Sequence, residues 1–172
     1  IFAETILQTR KECGNIRIEV LIPDFRGSLD ALRTVVEAQP DVLGHNVETV
    51  PRLYRSARAG SSYQRSLDHL RNAKSFGVPT ITKSGLMLGI GEEIGEVEQV
   101  MRDLRTHDCD MLTLGQYLQP SVHHLPLVRY LHPEEFERLG ELGYELGFTH
   151  VASGPMVRSS YHADQQAKDV VG

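Results

Sequence analysis

The chain has no tryptophan, six tyrosines, five phenylalanines and only two cysteines in 172 residues. Cys13 and Cys109 stand far apart in unrelated contexts, so neither a disulfide framework nor a cysteine-rich metal motif can be drawn. Each is expected to be a small buried hydrophobe. No apolar run approaches the roughly 18 residues that span a bilayer, and the opening IFAETILQTRKECG lacks the basic-then-apolar layout of a signal peptide. Acidic and basic residues are interspersed at a net charge of −5, which excludes a basic footprint for nucleic acid or an anionic membrane. Together these absences point to a soluble, cytoplasmic protein with neither nucleic acid nor membrane as partner. What is present, 40% hydrophobic residues, suffices for the core of one domain. The chain opens on Ile1 rather than Met, and Ile1, Phe2, Ile6 and Leu7 read as the middle of a helix, so its natural start is expected upstream.

Helix and strand patterns alternate from end to end. ETILQTRKECGN reads as a helix stopped at Gly14 or Asn15, and IRIEVLIPD as a strand ending at Pro23. GSLDALRTVVEAQP starts a helix on Ser28, and DVLGHNVET is a second strand. After a polar loop come the helix SSYQRSLDHLRNAKSFGVP and the strand TITKSGLMLGIGE, then the helix EEIGEVEQVMRDLRTHDC and the strand DMLTLGQYLQPS. The last pair is PEEFERLGELGYELGF, with Pro133 in its first turn, and THVASGP. Five βα repeats imply parallel strands joined by right-handed crossovers: an α/β barrel, part of one, or a doubly wound sheet. The irregular stretch QPSVHHLPLVRYLH is long enough to suggest a functional loop.

Parallel α/β folds bind ligands at the carboxyl ends of their strands, which places PDFRG, HNVET, KSGLMLGIGEE, QYLQPS and RSSY on one face. In HNVET, Asn46 and Glu48 suit ribose hydroxyls or an amino group; His45 is either an acid–base group or a satisfied strand-end histidine. GLMLGIGEE sets Gly85, Gly89 and Gly91 where backbone can approach a ligand, ahead of Glu92, although its spacing is not the dinucleotide fingerprint and tight packing is the plainer account. Lys83 and Ser84 just before it are candidates for a carboxylate or phosphate contact. His123 and His124 are adjacent and diverge, so a shared metal is not expected. Neither SGP nor RSSY forms a hydrolase elbow, and Glu92 with Glu93 or Glu134 with Glu135 read as acids at helix starts. Arg55, Arg58 and Arg65, interleaved with Tyr54 and Tyr63, suit either an anionic or polypeptide partner or an ordinary solvated surface.

Taken together, VLIPDFRG, DVLGHNVETVPRLY, TKSGLMLGIGEE, LGQYLQPS, HLPLVRYLHPEEF and SGPMVRSSYHAD resemble, in order, the successive blocks of lipoyl synthase, a radical S-adenosylmethionine enzyme. The resemblance implies a partial (β/α) barrel lacking its first βα units over residues 1–157, and a tail, 158–172, that carries RSSY. It implies insertion of two sulfur atoms into an octanoyl chain on a lipoyl carrier domain, of the 2-oxoacid dehydrogenases or the glycine cleavage H protein, with a flavodoxin or ferredoxin as electron donor. The implied cofactors are S-adenosylmethionine and two 4Fe–4S clusters, one for the radical chemistry and one as sulfur source. GLMLGIGEE is similar to the G-x-I-x-G-x-x-E pattern of these enzymes, so Gly85, Met87, Gly89 and Glu92 would border the cofactor with Asn46, Glu48, Lys83 and Ser84. In RSSY the resemblance favours Ser160 over Ser159 as an oxygen ligand of the auxiliary cluster, a weaker ligand for iron than thiolate. Both cysteine sets of the family are absent, and neither Cys13 nor Cys109 falls in one, so the chain resembles a carboxyl-terminal fragment that would itself be inactive. Loss of the first units would leave a strand edge open and solubility marginal. Two other readings are a truncated, non-catalytic paralogue that binds S-adenosylmethionine or the carrier domain, and an aldolase-like barrel acting through Lys83.

Overall fold

A computed structural model describes residues 1–161 and 163. Helix α1, Phe2–Cys13, ends because Gly14 takes a φ of 69°, in the left-handed region where a side chain is strained. Strand β1, Glu19–Leu21, leads through a short turn to α2, Leu29–Glu37, whose first turn is capped by Ser28 Oγ accepting the Ala31 N–H at 3.3 Å. Strand β2 is Val42–Gly44. The segment that reads as a polar loop contains a 3₁₀ turn, Pro51–Leu53, and a four-residue helix, α3, Tyr54–Ala57. Next come α4, Tyr63–Lys74, capped by Ser62, and β3, Ile81–Leu88. Helix α5, Ile94–Thr106, begins with a capping box between Glu93 and Glu96, and β4 is Met111–Gln116. Helix α6, Pro133–Glu145, and β5, His150–Gly154, complete the described elements.

The expected strands are all present, but β1 and β2 are shorter than their apolar runs. Each contributes only three paired residues: among the described residues β1 pairs with β2 alone, Glu19–Leu21 against Val42–Gly44, and β2 meets β3 over the same three positions. All pairings are parallel and the order is β1-β2-β3-β4-β5. A doubly wound sheet reverses its strand order at a switch point; here each strand lies beside its predecessor, so right-handed crossovers carry every helix to the same face. The architecture is therefore a partial barrel, α/β in class, with a helical outer layer and a concave inner face.

The outer layer holds the core. Leu86, Leu88, Leu112 and Leu114 of β3 and β4 pack with Leu67 and Leu70 of α4, Val97, Met101 and Leu104 of α5, and Phe136 and Leu139 of α6. A second cluster joins Ile6 of α1 to Leu32, Val35 and Val36 of α2 and Leu43 of β2. Cys109 is buried, and burial pushes its thiol up to about 12. Cys13 departs from expectation: it closes α1 on the solvent side and is exposed, since the buried position of that helix is Ile6.

Residues 119–132 form the expected irregular stretch, and they are tied to the end of β3. The Gly89 carbonyl accepts the Val128 N–H at 2.8 Å, and the Gln116 side chain accepts the Leu131 N–H and donates to the Arg129 carbonyl. A Cβ on Gly89, whose φ is 109°, would collide with the Gln116 amide and the Arg129 carbonyl. This glycine admits the loop.

Candidate functional site

Period-two alternation along β3 divides its side chains: Leu86 and Leu88 enter the helical core, whereas Lys83, Gly85 and Met87 belong to the inner face. The register sets Gly85 level with Thr113 and Met87 level with Gly115 on β4, and Lys83 level with Gly44 on β2. Glycines at 44, 85 and 115 let neighbouring atoms approach this face closely. A Cβ on Gly85 would collide with Thr113 Oγ1 and stand 3.2 Å from Asn46 Oδ1.

Beyond β2 the chain crosses to β3 through an isolated bridge. Glu48 N–H donates to the Gly85 carbonyl and Met87 N–H to the Glu48 carbonyl, both at 2.9 Å. Glu48 adopts a φ of 67°, unusual for a residue with a side chain and held here by those two bonds. Val47 is thereby buried in the outer core while Asn46 and Glu48 both line the inner face. Arg58 braces the turn, donating to the Asn46 carbonyl at 2.8 Å and stacking over Tyr54 at 5.5 Å.

The result is a cavity of about 210 Å³ whose polar lining comes from Asn46, Glu48, Thr113, Arg158 and Ser159, with Gly85 and Met87 beneath. The segment after β5 forms its far wall. The backbone of Val157 passes so close to Gly115 that a Cβ there would collide with the Val157 carbonyl, and Asn46 Nδ2 donates to Ser159 Oγ at 3.4 Å. Burial pushes the Glu48 carboxyl above its ordinary range, with Asn46 and Arg58 acting the other way. A second, wider cavity of about 600 Å³ shares Met87 and Arg158 and is mostly apolar, with Ile90, Tyr117, Leu118 and Leu125 in its wall beside His123 and His124.

The sequence candidates thus separate into two groups. Asn46, Glu48, Gly85 and Met87 converge on the first cavity. Lys83 lies deeper on the same face, its ammonium held by Glu19 and the Ser159 carbonyl. Ser84 is turned outward and accepts the Val47 N–H at 3.2 Å. Gly89 packs against the 119–132 loop, and Glu92 folds back on its own turn, accepting the Gly89 N–H at 2.5 Å and the Ile90 N–H at 3.0 Å. His45 is buried away from the cavity with both ring nitrogens engaged, by the Ile22 carbonyl and Ser66, and burial lowers its pKa; the satisfied-histidine reading describes it. Ser160 is exposed, and it is Ser159 whose side chain borders the cavity. The remainder of the terminal block, residues 162 and 164–172, lies outside the described residues.

Glu93, Glu134 and Glu135 stand at helix starts as expected, while Arg65 pairs with Asp24 at 2.6 Å. Thr113 and Gly115 are cavity residues that sequence reasoning passed over, and Arg58, read as suiting either an anionic or polypeptide partner or a solvated surface, braces the Asn46–Glu48 turn. The alternation in MLTLGQ marks the first two as sharing a strand face, but nothing in the sequence marks Arg58 as the brace of a turn twelve residues earlier.

The sequence matches the radical SAM superfamily over residues 2–104. It is 64% identical to the lipoyl synthase of Thioalkalivibrio sulfidiphilus over 99% of this chain and 53% of that protein, and 62% identical to the lipoyl synthase of Hahella chejuensis over 96% and 50%. The chain spans about half the length of these relatives. Among solved structures, methylornithine synthase superposes with a TM-score of 0.68 over 92% of this chain and 53% of its own, at 19% identity, a likeness of fold.

Proposed function

The chain belongs to the radical SAM superfamily, and from that premise we propose that it is the part of a lipoyl synthase that receives S-adenosylmethionine at the carboxyl ends of its strands. The observation that carries this reading is the convergence of Asn46 and Glu48 with Gly85 and Ser159 on one cavity, residues brought together from β3, the β2–β3 bridge and the terminal segment. The donor set suits the ligand. Asn46 offers both a donor and an acceptor, an ionised Glu48 accepts from ribose hydroxyls or an ammonium, and the missing side chain at Gly85 leaves a cradle that a Cβ would obstruct. When bound, S-adenosylmethionine supplies the hydrogen-abstracting chemistry that in lipoyl synthases leads to sulfur insertion into an octanoyl chain on a lipoyl carrier domain. The carrier substrate, whether from a 2-oxoacid dehydrogenase or the glycine cleavage system, and a flavodoxin or ferredoxin reductant follow from the same reading.

The described residues do not fit an iron–sulfur cluster of their own. Among the described residues no group of three or more His, Cys, Asp or Glu side chains could hold a metal, Cys13 is exposed on α1, and Cys109 is sealed behind the sheet with its thiol pushed up to about 12. Either cluster would need cysteines supplied from outside the chain, and for the auxiliary cluster alone the family pattern favours Ser160 as an oxygen ligand. The local work of this chain is to bind and orient. Arg58 holds the Asn46–Glu48 turn in place, and the Val157–Ser159 segment forms one wall of the cavity.

Calorimetric titration of the complete protein with S-adenosylmethionine under anaerobic conditions tests the reading. Asn46→Ala and Glu48→Ala are each expected to weaken binding about tenfold or more, the loss of a hydrogen bond to a charged partner. Wild-type affinity in both variants would place the cofactor elsewhere.

A further inference from the structure

We infer that Lys83, charge-paired with Glu19, is the positioning latch of the terminal serine segment. Lys83 is 2% exposed and is among the largest buried side chains of the described residues. A buried ammonium is tolerated only when its charge and its three N–H donors are met. Here they are: Nζ donates to Glu19 Oε1 at 2.9 Å, to Glu19 Oε2 at 3.2 Å and to the Ser159 carbonyl at 2.6 Å. The lysine comes from β3, its carboxylate from β1 and its carbonyl from a segment 76 residues onward, so one side chain ties three distant parts of the chain. Gly44 is the residue of β2 level with Lys83 and has no side chain to stand between β3 and β1.

The location of the contact gives it consequence. Among the described residues the backbone hydrogen bonds around Ser159 are local turns, Val157 N–H to the Gly154 carbonyl, Tyr161 N–H to the Arg158 carbonyl and Ala163 N–H to the Ser160 carbonyl, which shape the segment without fixing it to the sheet. Lys83 and Asn46 reach it from the sheet, on the Ser159 carbonyl and hydroxyl respectively. Of the two, the charged bond is shorter and stronger. Lys83 therefore sets where Ser159, and with it the exposed Ser160, stands beside the cavity. With its amine enclosed and held by an acid, it is not presented to a carbonyl substrate for Schiff-base formation.

The importance of Ser160 rests on the proposed function; the latch itself does not, and the two are separable because the test needs neither cofactor nor substrate. Hydrogen–deuterium exchange by mass spectrometry is measured on the complete protein with Lys83→Ala. Exchange across 155–161 is expected to rise about tenfold or more, as for loss of one charge-assisted hydrogen bond, with peptides of β3 and β4 unchanged. Added propylammonium, but not 1-propanol, should restore protection by refilling the vacated ammonium site. Should Lys83→Ala unfold, Lys83→Met keeps the side-chain volume and is read by the same local exchange. Unchanged protection of 155–161, or loosening shared equally with β3 and β4 without ammonium rescue, overturns the inference.

Discussion

The two faces of β3 are built on different terms. Its outward residues meet a continuous apolar layer: Leu88 is fully buried and Leu86 nearly so among side chains of α4 and α5, and even Thr82 is satisfied locally by the Asp108 carbonyl and Asp110. Its inward residues, Lys83, Gly85 and Met87, meet individual polar groups and small residues from β1, the β2–β3 bridge, β4 and the terminal segment. The outer face draws its stability from buried area, which any well-fitting apolar side chain supplies. The inner face depends on named atoms at fixed distances. One strand thus separates stability from binding by the alternation of its side chains.

Leu88→Ala breaks the outer face and should have the largest effect, lowering stability by about 3 kcal/mol, as for a fully buried leucine replaced by alanine. Denaturant titration measures the loss. S-adenosylmethionine affinity in the folded fraction should stay near wild type, and a large fall in affinity would mean that the two faces are coupled.

Gly85→Ala attacks the inner face. Its Cβ meets Thr113 Oγ1 and crowds Asn46, so a cost of about 2 kcal/mol and weaker cofactor binding are expected. Adding Thr113→Ala removes the colliding hydroxyl and should recover most of the stability; a strictly additive double mutant would show that the clash is not the cause.

The smallest effect concerns charge. Because burial raises the folded-state pKa of Glu48, the folded protein binds that proton more tightly than the unfolded chain does. The group's ionisation therefore detracts from stability at neutral pH, and stability recovers as pH falls through the raised pKa toward the ordinary carboxylate value. Cofactor affinity should move oppositely, weakening over the same range as the anion is lost. Glu48→Gln should flatten both profiles, and a pH dependence of affinity that survives the substitution would assign it to another group.

Much of the framework is legible in the residues. Gly14 stops α1 and Ser28 and Ser62 cap α2 and α4, because each acts on backbone groups within a few positions of itself. Which of Asn46, Glu48, Gly85, Met87, Ser84, Gly89 and Glu92 would border the cavity is not legible, although alternation along β3 sets Ser84 opposite Gly85 and Met87. All seven stand in polar or glycine-rich segments at strand ends, and which of them faces a cavity depends on register and on what lies opposite. Glu92 finds the N–H groups of its own turn, and Ser84 finds the Val47 N–H, before either can meet a ligand.

By itself the sequence determined the α/β alternation, the helix limits and which strand residues share a face, because hydrophobic periodicity and capping are local and act through neighbouring backbone. It also carried the family's blocks in order. Only the tertiary structure decided that the inner face would be a cavity with a wall from residue 157 onward, that Lys83 would cross β2 to reach Glu19, and that Ser159 would be the serine bordering the cavity. Those contacts join residues 64 to 113 positions apart, and a buried charge or an open glycine acquires its meaning only from the atoms that packing brings against it.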